Sequence, residues 1–420
     1  MSDIQVELVN RIDLKDFGEI SLFPGDVNGD GKLELVFPQG ADAPDRRAST
    51  GGYNHEKTIH CVTAIDLEGN IIWQVGTPMG DTPRKYHGNG PCLVQDFDGD
   101  GKAEVVFITE HQSRLYIRLL RGENGTQVAE QETGASWEII PANLRGLDAK
   151  RDFIVNDALS LHFAYSGDLT PLWEWKYIYG GGHRPFACDT QGKGKDDLFI
   201  GVCCLDAEGE RIWWRPDLDD AMEEMGRCPH IDNILVERLY HDSDDYQVLW
   251  AGGKDAICLN PVDGKVRWRL SGEHLQEARI GRFDPGSPDY IIYINEKMLN
   301  MPSYLLSADG EVLWEKDLGG CAYAESVKGV GPDGSDLLLL APPVIGQKPY
   351  LMNHLAEKVV EFSLPTPTEA PNFRAQQAGS FWGGDTGEGL RRIALDLDGD
   401  GCDEILFFNR QEILVFKVNS

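Results

Sequence analysis

Apolar residues occur along this chain in short runs of about four to eight, each bounded by turns rich in glycine and aspartate. Runs of this length and spacing are typical of β-strands joined by tight turns. Two kinds of turn separate the runs, and they alternate along the sequence. The pattern predicts an all-β chain assembled from hairpins.

The first kind of turn carries oxygen-bearing side chains at alternate positions, with glycines at the bend. Three copies keep the full set: Asp26, Asn28, Asp30 and Glu34; Asp96, Asp98, Asp100 and Glu104; and Asp396, Asp398, Asp400 and Glu404. An apolar strand follows each copy, where an EF-hand would need a helix. We therefore expect about three structural calcium ions, each bound in a turn between two strands.

A fourth copy of this turn has lost one acidic ligand. Residues 189–197 keep the shape of the turn, but Lys193 stands where a carboxylate is expected. We expect its ammonium group to neutralise this loop in place of calcium.

The second kind of turn precedes a strand that ends in tryptophan. It recurs at five tryptophans: Trp73, Trp173, Trp213, Trp268 and Trp314. Because these tryptophans recur with the repeat, we expect them to pack one repeat against the next.

Taken together, the two turns define a repeating unit of four strands. The first strand of each unit leads into the aspartate-rich turn, and the fourth ends in tryptophan. First strands are predicted to begin near Ile20, Pro91, Glu138, Arg184, Ile231, Glu277, Ala324 and Arg392. Eight such units have the average length of a β-propeller blade.

The predicted fold is therefore a single β-propeller domain over residues 1–420, with eight four-stranded blades. Seven blades is the alternative, since the third and seventh units depart from the pattern. The last unit is one strand short, while residues 6–12 form a spare strand at the N-terminus. Addition of that strand to the last blade would close the ring and leave no exposed sheet edge there.

The chain is strongly acidic, with 69 acidic and 39 basic residues and a net charge of −30. A field of this sign repels nucleic acid and anionic membranes.

No apolar run is long enough to span a bilayer, and the first residues lack the features of a signal peptide. The nine cysteines are scattered, without a C-x-x-C pair, which favours reduced thiols. We expect a cytoplasmic protein, or a secreted one if a signal peptide has been trimmed.

Candidate chemistry lies on the turns that lead into the first strands of the units. His87, His183, His230 and His274 precede four of these strands by similar distances, so they are expected to ring the mouth of the central channel. Other basic, aromatic and polar residues are predicted at the same face: Arg46, Arg47, Tyr53, Asn54, His55, Arg84, Lys85, Tyr86, Tyr177, Tyr179, Arg184, Gln276, Tyr323 and Trp382. A basic and aromatic collar on an acidic protein predicts an anionic oligosaccharide or polysaccharide as the binding partner.

Several segments resemble the propeller polysaccharide lyases. They are the glycine-rich approach to His183, the segment from Cys228 to Asp232, residues 272–285, and the repeated aspartate-rich turns, which are similar to FG-GAP-type calcium-loop repeats. That group includes rhamnogalacturonan lyases, ulvan lyases and rhamnose-glucuronate lyases. Related members act as α-L-rhamnosidases on the same scaffold.

The resemblance implies β-elimination at a uronic acid within a rhamnose-containing glycan. In that reaction the carboxylate is neutralised, a base removes the C5 proton, and an acid protonates the leaving oxygen. His87 and His55 are the preferred base and acid, with Tyr53 or Tyr86 as competitors, and Arg84 and Arg184 form the carboxylate clamp. Further substrate-binding candidates are Lys85, Tyr179, His183, His230, His274, Gln276 and Trp382. Three of these histidines would equally suit a divalent metal ion in the central funnel.

Two other functions remain open from the sequence. A glycoside hydrolase on this scaffold would use a histidine or a carboxylate such as Glu273 or Glu277 with water. A calcium-stabilised binding propeller without catalysis would use the same loops only for folding. The reaction product separates the three hypotheses, because only a lyase leaves an unsaturated uronate.

Overall fold

The protein forms a ring of four-stranded antiparallel sheets. The computed structural model describes residues 4–42, 57–80, 91–157, 161–176, 184–218, 231–296, 301–318, 324–341, 348–364 and 391–419. Within these residues there are eight sheets, and the single helical element is a 3-10 turn at Pro216–Leu218. In the same part of the chain, no helix has the length and apolar character needed to cross a membrane. The prediction of eight blades is confirmed.

The strands follow one another from the channel to the rim in each blade. The N-terminal strand is β1 (Gln5–Asp13). Blade 1 comprises β2 (Phe23–Gly25), β3 (Glu34–Asp42), β4 (Lys57–Ile65) and β5 (Ile71–Gly76). Blade 2 comprises β6 (Cys92–Gln95), β7 (Glu104–His111), β8 (Arg114–Leu120) and β9 (Gln127–Thr133). Blade 3 comprises β10 (Glu138–Ala142), β11 (Asp152–Asn156), β12 (Leu161–Ser166) and β13 (Pro171–Lys176). Blade 4 comprises β14 (Phe186–Cys188), β15 (Asp197–Ile200), β16 (Cys203–Leu205) and β17 (Arg211–Trp214).

The second half of the ring repeats this arrangement. Blade 5 comprises β18 (Asn233–Glu237), β19 (Gln247–Gly252), β20 (Asp255–Leu259) and β21 (Val266–Ser271). Blade 6 comprises β22 (Leu275–Gly281), β23 (Ile291–Glu296), β24 (Ser303–Leu306) and β25 (Val312–Lys316). Blade 7 comprises β26 (Ala324–Val327), β27 (Leu337–Leu340), β28 (Tyr350–Met352) and β29 (Lys358–Glu361). Blade 8 comprises β30 (Arg391–Leu395), β31 (Glu404–Phe408), β32 (Glu412–Asn419) and β1.

The N-terminal strand closes the ring, as the sequence predicts. β1 pairs antiparallel with β32 from Gln5 opposite Asn419 to Asp13 opposite Glu412, with one irregularity between Leu8 and Asn10. Blade 8 is therefore built from both ends of the described chain. This pairing covers the edge of β32 that would otherwise be exposed.

Burial across each blade explains the hydrophobic pattern of the sequence. Second strands such as β15, β19 and β27 are buried at every position, because neighbouring blades cover both of their faces. Fourth strands at the rim contain exposed residues, as in β21 and β25. The continuous apolar runs are thus second strands, and the more polar strands form the outer surface.

The inner strands begin close to the predicted positions. The largest difference is three residues, at β2, which begins at Phe23 and not at Ile20. β10 and β26 begin at the predicted Glu138 and Ala324. Because the blades repeat one topology, all inner strands begin at the same end of the ring, opposite the aspartate-rich turns.

Each of the recurring tryptophans bonds to the following blade. The indole Nε1 of Trp213 donates to the carbonyl oxygen of Pro261 at 2.7 Å, and Trp173 reaches Ala207 at 2.9 Å. Trp268 and Trp314 make the same bond at 2.9 Å and 2.7 Å, and Trp73 bonds to Gly122. The prediction that these side chains pack the repeats together is confirmed.

A glycine of the next blade lies against the indole ring in four of the five cases. Gly264 has a φ of +65°, and a Cβ placed there would lie 2.8 Å from Cε3 of Trp213. Gly125, Gly209 and Gly310 meet Trp73, Trp173 and Trp268 in the same way. The glycine in the second kind of turn is therefore required by the tryptophan of the preceding blade, as well as by its own backbone conformation.

The described cysteines are free thiols, six of them in strands and Cys402 in the aspartate-rich turn of blade 8. They are Cys61, Cys92, Cys188, Cys203, Cys204, Cys258 and Cys402. Burial raises the pKa of Cys203 to about 12, so its thiolate is disfavoured at neutral pH. The five buried thiols, Cys61, Cys92, Cys203, Cys204 and Cys258, act as small apolar residues of the core.

Substitution of Gly264 by alanine tests the interblade contact. Gly192 is the matched control, because its φ is also +65° but no atom lies within 4 Å of the position of its Cβ. Both variants incur about 1–2 kcal/mol for a left-handed alanine, and Gly264→Ala additionally incurs about 1–3 kcal/mol for the clash with the indole. Chemical denaturation measures both free energies of unfolding. Equal losses in the two variants would contradict the proposed role of the contact.

Candidate functional site

The described part of the predicted collar consists of three residues. Arg184, His274 and Gln276 lie where inner strands begin, at one end of the ring. The other predicted catalytic and substrate-binding residues lie outside the described residues: Tyr53, His55, Arg84, Lys85, Tyr86, His87, Tyr179, His183, His230 and Trp382. The same holds for Arg46, Arg47, Asn54, Tyr177 and Tyr323. The described part of the site therefore consists of residues on the inner strands and next to them.

His274 is enclosed between blades 5 and 6. Its side chain is 1% exposed, and its Nε2 lies 3.2 Å from Oδ2 of Asp232 and 2.9 Å from Oε1 of Gln276. The backbone N–H groups of Glu273 and His274 both donate to the Glu296 carboxylate. The imidazole thus contacts protein groups and offers no open face to a sugar ring, whereas Gln276 is half-buried.

Beside this histidine, Arg279 joins blade 6 to blade 7. Its Nη2 lies 2.8 Å from Oε1 of Glu277, and its Nε lies 3.2 Å from Oε2 of Glu325. A second bond at 3.2 Å joins Nη2 to Oε1 of Glu325, so the contact with Glu325 is bidentate. Burial opposes the charge on Arg279, but Glu277 and Glu325 raise its pKa above the ordinary value.

Two further arginines open the inner strand of blade 8. Arg391 and Arg392 are 9% and 8% exposed. Burial lowers the pKa of both, and for Arg391 to about 10. Glu325 and Glu277 counteract the effect at Arg392, while Glu19 counteracts it at Arg391.

Carboxylates from blades 1 and 3 complete the set of charges. Glu19, which precedes β2, is fully buried, and its Oε1 lies 3.0 Å from Nε of Arg410. Oε1 of Glu138, the first residue of β10, lies 3.5 Å from Nε of Arg184. We call these residues the channel charge cluster: Glu19, Glu138, Arg184, Asp232, Glu277, Arg279, Glu325, Arg391, Arg392 and Arg410.

Most of the channel charge cluster was missed by the sequence analysis. Arg184, Glu138, Glu277 and Arg392 are all predicted as starts of inner strands. A chemical role is predicted only for Arg184, in the carboxylate clamp, and for Glu277, in the hydrolase alternative. The available signal was a charged residue at the first or second position of an otherwise apolar inner strand, as in Glu138, Glu325 and Arg391. One such residue is unremarkable, and the pattern appears only when the strands are aligned.

At the opposite end of the ring, two of the aspartate-rich loops bring three carboxylates together. Ligand atoms of Asp96, Asp98 and Glu104 lie within 4.8 Å of one another, as do those of Asp396, Asp398 and Glu404. Backbone N–H groups orient these side chains; Gly99 and Gly101, for example, donate to Asp96. Burial raises the pKa of Glu104, and Asp98 adds to the effect. An oxygen-only cage of this kind fits a hard divalent cation.

Other loops place a donor of the protein beside the carboxylate that ends the turn. The side-chain amide of Asn28 donates to Oε1 of Glu34 at 2.6 Å. In blade 3, Nε of Arg145 lies 2.7 Å from Oδ1 of Asp152. In blade 4, Nζ of Lys193 lies 3.9 Å from Oδ1 of Asp197, in keeping with the predicted neutralising role of this lysine.

The aspartate-rich loop of blade 8 has both a group of three carboxylates and a lysine that contacts them. Lys417, on β32, places its Nζ 2.6 Å from Asp398, 3.1 Å from Asp400 and 3.4 Å from Glu404. Hydrogen bonds to Asp398 and Asp400 raise the pKa of Lys417. A metal ion in this loop would therefore compete with an ammonium group, whereas the arginine found at the blade 2 cage among the described residues, Arg121, lies farther away, with its Nη1 4.0 Å from Oδ2 of Asp98.

Comparisons with known proteins connect this fold to carbohydrate-cleaving enzymes. Residues 18–115, from the approach to β2 to the start of β8, match the family described as rhamnogalacturonan lyase family 11, C-terminal domain. The chain is 22% identical to the rhamnogalacturonan endolyase YesW of Bacillus subtilis, over 70% of this chain and 55% of that protein. It is 23% identical to the rhamnogalacturonan exolyase YesX of the same organism, over 45% of this chain and 39% of that protein.

Over parts of its length, the chain is similar in sequence to rhamnogalacturonan lyases. The crystal structure of YesX superposes with a TM-score of 0.66 at 16% identity and covers 94% of this chain and 72% of that chain. At this level of identity the superposition establishes the shared fold. The chain matches about half the length of YesW and less of YesX, so its own activity does not follow from the similarity alone.

Substitution of Arg279 by methionine tests the ionic contact between blades 6 and 7. Removal of the cation leaves Glu277 and Glu325 without the guanidinium group that bonds to both of them, and we expect a loss of about 3 kcal/mol in the free energy of unfolding. Arg114→Met is the control, because Arg114 pairs with Glu132 at 3.0 Å with both side chains half or more exposed. That pair is expected to contribute less than about 1 kcal/mol. Similar losses from both variants, measured by chemical denaturation, would show that the contact adds no stability.

Proposed function

We propose that this chain is a polysaccharide lyase that cleaves a rhamnose- and uronate-containing glycan by β-elimination. The observation that carries the proposal is the group of five arginines in the channel charge cluster, on a chain of net charge −30. A uronate carboxylate needs cationic hydrogen-bond donors at its site, and these guanidinium groups, which are balanced by the five carboxylates of the same cluster, supply such donors. Both curated relatives act on rhamnogalacturonan as lyases, which favours this reaction over hydrolysis or binding alone.

The reaction divides into three tasks at one sugar residue. A cation beside the uronate carboxylate stabilises the negative charge that develops when the C5 proton leaves. A general base removes that proton, and a general acid protonates the departing glycosidic oxygen. Arg184 is the described member of the carboxylate clamp. Arg84 is assigned to the same clamp.

The base and acid are assigned to the predicted loops. His87 and His55 remain the preferred pair, with Tyr53 or Tyr86 as competitors. The assignment draws on the residue types that this chemistry requires and on the resemblance to the lyase group. Sugar hydroxyls are assigned to Lys85, Tyr179, His183, His230, Gln276 and Trp382, and His274 is assigned the role of orienting Gln276.

A test for an unsaturated product addresses the proposal directly. The protein is incubated with rhamnogalacturonan, ulvan and rhamnosyl-glucuronate oligosaccharides, and near-ultraviolet absorbance is recorded over time. β-Elimination is expected to give a steady rise, because the new double bond is conjugated with the carboxylate. His87→Ala is expected to abolish the rise, while the exposed His111→Ala serves as the control. Release of free rhamnose without a rise would identify a hydrolase, and no product at all would favour a binding propeller.

We also propose that calcium occupies the aspartate-rich loops, about three ions in all, and that it stabilises the blades. The carboxylate cages of blades 2 and 8 support this assignment by their oxygen donors. The blade 1 loop is the third candidate, with Asp26, Asp30 and Glu34 as acidic donors. No catalytic step is assigned to these ions, because the loops lie at the end of the ring opposite the channel charge cluster.

Calcium binding is expected to be strongest in blade 2. Calcium should raise the melting temperature of EDTA-treated protein, and Asp98→Asn should remove most of that shift. The equivalent change in blade 8, Asp398→Asn, should remove less, since Lys417 already neutralises that loop. Thermal unfolding with and without calcium measures both. An equal effect of the two variants, or no calcium shift in the wild-type protein, would contradict this order of affinity.

A further inference from the structure

Gln276 occupies a β-bulge at the start of the inner strand of blade 6. Leu275 pairs with Glu296 and Glu277 pairs with Asn295, so Gln276 is an extra residue between two paired neighbours. A bulge redirects the side chain of the extra residue, and bulges are frequent beside active sites. Gln276 is half-buried, whereas Leu275 and Glu277 are buried. Its side chain is therefore the most accessible of the three at this end of the channel.

The carboxamide oxygen of Gln276 is held by His274. Nε2 of His274 lies 2.9 Å from Oε1 of Gln276 and 3.2 Å from Oδ2 of Asp232. The side chains of His274 and Asp232 are only 1% and 5% exposed. Because an ionised carboxylate can only accept, Nε2 of His274 must carry a hydrogen. This conclusion holds for the neutral ring and for the charged ring, since Nε2 is a donor in both.

The hydrogen on Nε2 of His274 in turn fixes the orientation of the Gln276 amide. The oxygen and nitrogen of a carboxamide have nearly the same shape, so the neighbouring groups decide which of them lies on which side. A donor at 2.9 Å requires the oxygen on the side of His274. The amino group of Gln276 then points away from His274, and it bonds to none of the described residues. Gln276 thus offers N–H donors to a ligand.

The backbone beside this amide is fixed from the second strand of the same blade. Glu296, at the end of β23, is 2% exposed. Its carboxylate accepts from the backbone N–H of Glu273 at 3.0 Å and from that of His274 at 2.6 Å. Glu296 therefore holds the main chain of His274, while Asp232 holds its ring. The orientation of the Gln276 amide is set before a ligand binds, which lowers the cost of binding.

We propose that Gln276 is a specificity-determining residue that donates from Nε2 to a glycan oxygen without a hydrogen of its own, namely a carboxylate, ring or glycosidic oxygen. A sugar hydroxyl can rotate to donate or to accept, so it would suit either orientation of the amide. A donor of fixed orientation selects an oxygen that only accepts. Asp232 and His274 are positioning residues that set this orientation. The inference rests on the proposed lyase function and replaces the assignment of Gln276 to a sugar hydroxyl.

Proton–nitrogen NMR of isotope-labelled histidines tests the positioning step without any glycan. Long-range spectra distinguish a ring with its hydrogen on Nε2 from one with its hydrogen on Nδ1. The signal of His274 is identified by its loss in His274→Gln. We expect a hydrogen on Nε2 of His274 in the wild-type protein. A hydrogen on Nδ1 alone would overturn the inference, because Gln276 would then turn its amino group towards His274.

Calorimetry with rhamnogalacturonan oligosaccharides tests the contact itself. Every protein in this series carries His87→Ala, so that the proposed base is absent and the glycan stays intact. Gln276→Glu keeps an oxygen for His274 but lacks the donor, and Gln276→Met lacks both. Each should weaken binding roughly 10- to 100-fold, the range expected when a hydrogen bond is lost and its partner is left unsatisfied. Gln74→Glu is the control, because it introduces the same charge at an exposed amide on the rim that bonds to Thr63 at 2.9 Å, and it should not change binding.

Carboxyl-reduced oligosaccharides identify which oxygen accepts from Gln276. They keep the ring and glycosidic oxygens, but they contain no carboxylate and are neutral. A loss of affinity for the native glycan alone, in both Gln276 variants, assigns the contact to a carboxylate. A loss with both glycans assigns it to a ring or glycosidic oxygen, and excludes charge repulsion as the cause in Gln276→Glu.

The outcomes separate this inference from the proposed function. Weaker binding by both Gln276 variants, with folding verified by circular dichroism, supports the inference even if the wild-type protein forms no unsaturated product. Binding equal to that of the parent protein in either folded variant would overturn it. The absence of glycan binding to the parent protein would also overturn it, while a rise in absorbance with the wild-type protein would leave the lyase function standing.

Discussion

The contact between an indole ring and a turn of the next blade is the interaction on which this structure depends. Five tryptophans donate to backbone carbonyls of the following blade, and four of them also lie against a glycine with positive φ. These contacts hold successive sheets face to face. With β1 completing blade 8, the sheets form a closed ring, and every inner strand begins at the same end.

Because every inner strand begins at the same end of the ring, charged residues at the starts of these strands lie together in the channel charge cluster. Charged residues at the starts of inner strands, distant in sequence, meet where the ring narrows towards its axis. Burial of isolated charges would be costly, but four of the five carboxylates lie near an arginine, and Asp232 lies 3.2 Å from Nε2 of His274. The same arrangement that joins the blades therefore gathers five arginines and five carboxylates at the channel of an acidic protein. The aspartate-rich loops lie at the other end, which separates metal-dependent stability from the proposed chemistry.

The fold was predictable because its determinants are local and repeated. A glycine or aspartate turn and a tryptophan at the end of a strand recur in enough units to fix the blade period, and the spare strand before Asp13 indicates how the ring closes. The acidic loops were likewise visible as spaced aspartates. The neutralising role of Lys193 followed from its position within one such loop.

The charge cluster was not predictable in the same way. Arg184 and Arg391 belong to blades half a ring apart, and their placement at the same end of the channel depends on the whole ring and not on any local motif. Lys417 is a similar case, because its contact with Asp398 exists only once β32 has folded back beside the loop. His274 was recognised as a member of the channel face, but its enclosure by Asp232 and Gln276 follows from packing between two blades.

Hydrogen–deuterium exchange with bound glycan tests the central claim, that substrate binds at the end of the channel where the inner strands begin. The protein is labelled with and without rhamnogalacturonan oligosaccharides in the presence of calcium. The account predicts slower exchange in peptides that contain residues 184–188 and 391–395, and unchanged exchange in the loops at residues 26–34 and 96–104. Protection of those loops with none at the inner strands would place the glycan at the opposite end of the ring and contradict the account.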